Sequence, residues 1–99
     1  MYAVVGVWRR DVSQSEEQLS VLREQIVPNV SQSPGFVSGY WTHDRSGGRD
    51  YTMIVFEREE AALDFKGVVE GNSQNQAEHG IKLESLAVAE VLAEAHAGA

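Results

Sequence analysis

Apolar residues gather in four short stretches and recur at helical spacing in two longer ones. Tyr2 to Arg9 is rich in Val and aromatic residues and too short for a helix, so it predicts a strand. Ala3, Val5 and Val7 lie on one of its faces, and Tyr2, Val4, Gly6 and Trp8 on the other, so both faces are apolar. Asp11 to Glu16 reads as a helix start, with Ser13 and Glu16 spaced as a capping box. Leu19, Leu22 and Ile26 then form an amphipathic stripe, with Glu17, Gln18, Arg23 and Glu24 on the wet face. Pro28 supplies no N–H, and its ring meets the preceding turn, which predicts an end or a kink there, with Val30 still able to reach the core.

Pro34-Gly35 predicts a turn into a second strand, Phe36 to His43. The adjacent Gly47 and Gly48 suit a tight hairpin into a third strand, Tyr51 to Glu57, whose two faces are again both apolar. Arg58-Glu59-Glu60 opens a second helix, the acidic pair facing the positive end of its dipole. Ala62, Phe65 and Val69 are its buried stripe, with Val68 beside it; Gly67 weakens it by about 1 kcal/mol relative to alanine, and Gly71 ends it. Asn72 to Gly80 reads as a polar loop carrying His79. The last strand runs from Ile81 to about Leu92, with a bulge or bend expected around Ser85 to Ala87.

Strand, helix, strand, strand, helix, strand is the order of two split βαβ halves. It predicts an α+β protein of ferredoxin-like β-α-β-β-α-β build: a four-stranded antiparallel sheet with both helices on one face. Residues 1–94 form the single domain, and Ala95 to Ala99 a frayed tail. Helices cover only one sheet face. Trp8, Val4, Val55, Met53 and one side of Phe36 to His43 leave no polar face to expose, which predicts a homodimer through the sheet. Gly6 and Gly39, inside strands, fit curling of that sheet or close backbone approach.

The net charge of -7 is spread over helix faces, which argues against a nucleic-acid partner and against an anionic membrane surface. Arg9-Arg10 is the only basic pair; it could hold one small anion or be a solvated strand end. With no cysteine, thiolate chemistry, disulfides and iron–sulfur clusters are excluded. Three scattered histidines show no metal-ligand spacing, no glycine-rich loop enters a helix, and no nucleophilic serine elbow is present. The apolar N-terminus lacks the basic region of a leader, and no run reaches the length of a membrane span, so a cytoplasmic location is the expectation.

Pro34-Gly35-Phe36-Val37-Ser38-Gly39-Tyr40 resembles the PGF-x-x-G-Y start of the second strand in the antibiotic-biosynthesis-monooxygenase-like proteins of the dimeric α/β barrel superfamily. Tyr51 to Ala62 resembles that family's third strand and following W-x-S-x-E-A, with Phe56 where the pattern has Trp and Glu59 near its Ser. The resemblance implies a barrel-forming dimer. Its members include cofactor-independent oxygenases of polycyclic aromatics, haem-degrading enzymes, and small isomerases and decarboxylases.

Two histidines are candidate catalytic residues. His43, at a strand end beside Trp41 and Asp44, could act as a general base or orient a phenolic substrate, or could simply hydrogen-bond the hairpin turn. His79, near Asn72, Asn75 and Glu78, stands about where the haem-degrading relatives place an axial ligand, although the spacing does not reproduce their pattern; a surface loop residue is the other reading. His96 falls in the tail and is given no role. Trp8, Tyr40, Trp41, Tyr51 and Phe56 form an aromatic set that could bind a flat ligand or serve as core and interface; Tyr40 and Trp41 point to opposite faces, so only one can belong to a given pocket. The expectation is therefore a monooxygenase-like protein acting on flat aromatic or carbonyl compounds without metal or organic cofactor. The alternatives are a non-catalytic dimeric binding module and, more distantly, a haem-binding protein.

Overall fold

The structure, a computed structural model, describes residues 1–11, 15–78 and 80–98. Four strands, β1 (Tyr2–Arg10), β2 (Phe36–Asp44), β3 (Arg49–Phe56) and β4 (Ile81–Glu90), form one antiparallel sheet in the order β2-β3-β1-β4. Between them lie the α-helices α1 (Ser15–Val21), α2 (Val27–Ser31), α3 (Glu59–Gly71) and α4 (Ser73–Glu78). The ferredoxin-like arrangement expected from the element order is the one observed, with the helices on one face of the sheet.

The core sits between that face and the helices. Val4, Ile54, Phe56 and Ala62 are its buried centre, and Val30, Phe36, Trp41, Phe65, Leu86 and Val88 pack around it. Phe56 holds two aromatic neighbours, Phe36 edge-on at 6.3 Å and Phe65 tilted at 5.2 Å. Directly paired residues share a face, so the register assigns the helix side to Val4, Gly6 and Trp8 with Ile54 and Thr52, and the outer side to Val5 and Val7 with Met53 and Tyr51. Trp8 and Val4 therefore belong to the helix-side core and not to the outer face, where the expectation of a dimer surface had put them.

Pro28 neither ends nor sharply breaks its helix. The backbone passes through a π turn, Leu22–Ile26, immediately before α2 and continues to Ser31. The wider i→i+5 turn accommodates a residue that cannot donate to the carbonyl four positions back. The expected capping box falls on Ser13, outside the described residues. Asn72 to Gly80 is not all loop: Ser73–Glu78 forms a short helix. Alternation in β4 shifts one residue before the expected Ser85 to Ala87, because the register with β1 slips between Val7 and Trp8, and Glu84 is the extra residue. Turns at Gly35 (φ 78°) and Gly48 (φ 70°) use the left-handed region, which glycine enters without a Cβ clash. The last strand closes at Glu90 rather than Leu92, and Leu92 is exposed. No helix among the described residues is long and apolar enough to cross a membrane.

Candidate functional site

The sequence contains Gly-x-Trp twice, as Gly6-Val7-Trp8 and Gly39-Tyr40-Trp41, and both copies sit on the helix side of neighbouring parts of the sheet. A Cβ on Gly6 would come within 2.7 Å of the Trp8 Nε1, and one on Gly39 within 3.0 Å of the Trp41 Cζ3. Each indole thus leans back along its own strand over a glycine, low against the sheet. Thr52 stands between them, opposite Gly6 in β1 and Trp41 in β2. The Trp8 indole N–H donates to its Oγ1 at 3.1 Å. The result is an aromatic floor across three strands. Trp8 is well covered, at 8% exposure, and Trp41 is half-buried.

At the open end of this floor is a polar cluster. The β2–β3 hairpin turns at 45–48 and pairs His43 with Asp50, while β1 sets Trp8 opposite Asp50 on its other side. His43 Nδ1 and Asp50 Oδ1 are 2.5 Å apart, and Arg10 Nε lies 3.3 Å from Asp50 Oδ2. The carboxylate is thus shared by an imidazole and a guanidinium. With Asp50 accepting from Nδ1–H, the neutral imidazole carries its lone pair on Nε2, the arrangement of an oriented general base. Asp44, expected as a neighbour of His43, instead accepts the Ser46 backbone N–H at 2.9 Å and holds the hairpin turn. Asp50 was not among the residues singled out from the sequence, and Arg10 was named only with Arg9 as a possible small-anion site. The signal for Asp50 was available: a hairpin closed by residues 45–48 pairs positions that sum to 93.

The aromatic set does not assemble as one wall. Tyr40 and Tyr51 lie on the outer face, away from Trp8, Trp41 and Phe56, so they cannot join those three in one pocket. Phe56 lies in the core and also lines a groove of about 360 Å³ between α2 and α3, together with Val30, Pro34, Phe65 and the polar rim of Arg58, Glu60 and Asp64. That groove is near the start of β2, whereas His43 is seven residues further along, ~23 Å at ordinary strand rise. The groove and the polar cluster are therefore separate features. The cluster is the better candidate for proton chemistry, because among the described residues the groove lining holds no histidine. His79 lies outside the described residues, and His96 pairs with Glu94 in the tail.

The outer face is apolar along Val5, Val7, Tyr40, Tyr51, Met53 and Val55, with Tyr40 62% and Met53 47% exposed. One end of it carries charges. Arg49 Nε–H donates to Glu84 Oε1 at 2.7 Å, and Arg9 Nε is 3.7 Å from Oε2. The hydrogen bond from Arg49 holds the Glu84 carboxyl below its ordinary value and raises Arg49 in return. On the helix side, where Tyr2 pairs with Phe56, the charge of Glu90 raises the Tyr2 phenol.

No family profile and no curated protein matches the chain. Solved structures do. HapK from Hahella chejuensis superposes with a TM-score of 0.73 at 14% identity, covering 100% of both chains. The haem degrader MhuD from Mycobacterium tuberculosis, with two haems in its active site, gives 0.70 at 17% identity over 97% of this chain and 100% of its own. A candidate antibiotic biosynthesis monooxygenase from Deinococcus radiodurans gives 0.67 at 17% identity over 97% and 96%. The likeness is one of fold. The groove offers a haem little: among the described residues its lining contains no His, Cys, Met or Tyr to ligate iron. Those residues do not fit that group.

Proposed function

We propose that this chain is a small homodimeric oxidative enzyme that deprotonates and oxygenates a flat aromatic or enolisable carbonyl compound, with His43 as general base. The observation that carries the reading is the His43–Asp50 pair at 2.5 Å, on the same sheet face as Trp8 and Trp41. Its chemical sense is direct. Nε2 removes a proton from an acidic C–H or O–H, and the half-buried Trp41 indole gives the planar substrate an apolar surface. The resulting anion is electron-rich enough to reduce dioxygen. For a methylene between two activating groups, one oxygen atom becomes the new carbonyl and the other leaves as water, with both electron pairs drawn from the substrate.

The outer sheet face supports the dimer. Its exposed Tyr40, Tyr51 and Met53 beside Val5, Val7 and Val55 make a contiguous apolar surface larger than isolated apolar residues would explain. A second copy related by a two-fold axis would cover it. Fold similarity to monooxygenase-like proteins supports the oxidative class, and fold alone does not choose the substrate.

The test is oxygen consumption with anthrone, a tricyclic enolisable ketone, by wild type and by His43→Ala, Asp50→Asn and His79→Ala. Turnover falling about 10²-fold or more in His43→Ala, and less in Asp50→Asn, is the expected result. Turnover unchanged in both His43→Ala and His79→Ala would remove both proposed bases. Binding of anthrone, seen as tryptophan quenching, without any oxygen uptake would favour the non-catalytic binding module.

A further inference from the structure

The basic pair Arg9-Arg10 is split by the strand. Arg9 is on the outer face with Glu84, its side chain 61% exposed, whereas the Arg10 side chain is 10% exposed and faces Asp50. The Arg10 Nε–H makes no hydrogen bond, so its 3.3 Å approach to Oδ2 is an ion pair off the N–H axis. A solvated strand end describes Arg9 and not Arg10. A guanidinium stays charged throughout the working pH range, so its hold on one carboxylate oxygen is permanent. A carboxylate with a single partner can turn about its terminal torsion, which is broad. One gripped at Oδ2 keeps Oδ1 aimed at the imidazole.

We propose that Arg10 is a positioning residue for His43: by fixing Asp50 it holds the neutral imidazole in the Nδ1–H tautomer. The inference rests on the reading of His43 as base, and it adds a residue which that reading did not need. Few other groups compete. The elements packed against β2 are β3 and α2, and α2 (Val27–Ser31) has no titratable side chain. Of the charged or titratable residues on β3, Arg49 and Tyr51 lie on the outer face and Asp50 alone shares the side of His43. On β2 itself, Asp44 is alternate to His43 and engaged at the turn.

The experiment is a long-range ¹H–¹⁵N correlation spectrum of the imidazoles in the full chain at about pH 9, above the ordinary histidine range. Three histidines are present, and His43→Gln assigns the signal. Wild type should show His43 mainly as Nδ1–H, against the Nε2–H preference of free histidine. Arg10→Gln should lower the Nδ1–H to Nε2–H ratio severalfold, and Arg10→Lys should recover most of it. Methyl spectra report whether each variant is folded. Should Arg10→Gln not fold, Arg10→Met keeps the apolar stem and is read in the same way. A ratio unmoved by the loss of the charge, or not recovered in Arg10→Lys, overturns the proposal. A ratio unmoved by Asp50→Asn would instead overturn the dyad, and with it the catalytic reading of His43.

Discussion

Replacing Gly6 by alanine puts one methyl group where the aromatic floor is tightest. The new Cβ would sit 2.7 Å from both Thr52 Oγ1 and Trp8 Nε1, and 3.3 Å from Leu86 Cδ1. The first two atoms are the two ends of one hydrogen bond, so the methyl cannot be accommodated without prying it apart. Trp8 has little room to retreat, since it is nearly covered. Overpacking of this kind costs about 1–3 kcal/mol, and loss of the hydrogen bond adds roughly 0.5–1.5 kcal/mol. The lower chain entropy of unfolded alanine returns about 0.4–1 kcal/mol. The expected net loss is therefore ~2 kcal/mol, a large part of the roughly 5–15 kcal/mol that holds a domain of this kind. Urea unfolding followed by far-UV circular dichroism measures it, with Trp8 fluorescence read in a Trp41→Phe background. Thr52→Ala removes the nearest obstacle, so Gly6→Ala should cost less in that background. A Gly6→Ala midpoint equal to wild type, or a cost identical with and without Thr52, would refute the packing argument.

Gly67 should respond in the opposite sense. It lies within α3 with nothing within 4 Å of an added Cβ, so Gly67→Ala should stabilise by about 0.5–1 kcal/mol in the same urea assay. Glu84 gives a pH dependence. Its carboxyl is held below the ordinary 4.5 by the Arg49 hydrogen bond, so the native state binds its proton less readily than the unfolded chain. That stabilisation is present above the ordinary carboxylate range and is lost as pH falls through the depressed native value. Thermal melts at pH 7 and pH 3 should therefore show a smaller acid-induced drop in Glu84→Gln than in wild type. Met53→Glu places a charge in the middle of the outer face; sedimentation equilibrium should find a dimer for wild type and a monomer of unchanged circular dichroism for the variant. A wild-type monomer would sink the sheet-to-sheet reading.

Local chemistry made most of the fold legible. Short Val- and aromatic-rich runs at Tyr2 and Tyr51, the period of the Leu19–Ile26 stripe, and glycines at the turns depend on neighbours within a few residues, and those elements appear near their expected bounds. Even the slip in β4 was visible as broken alternation. Pro28 was harder, because whether a proline ends a helix or is absorbed in a π turn depends on packing along the whole segment. The same holds for Ser73–Glu78, a short polar helix with little amphipathic signal of its own.

The candidate site divides along the same line. His43, Trp8 and Trp41 could be named from residue type and strand position. Facing was decided by register across strands. One register sends Tyr40 and Tyr51 outward and Trp8 inward. It also sets Asp50 against His43 and brings in Arg10, from a strand more than thirty residues away in sequence. A strand's own sequence sets its alternation, and the hydrogen-bonded partner alone decides which side chains of different strands meet.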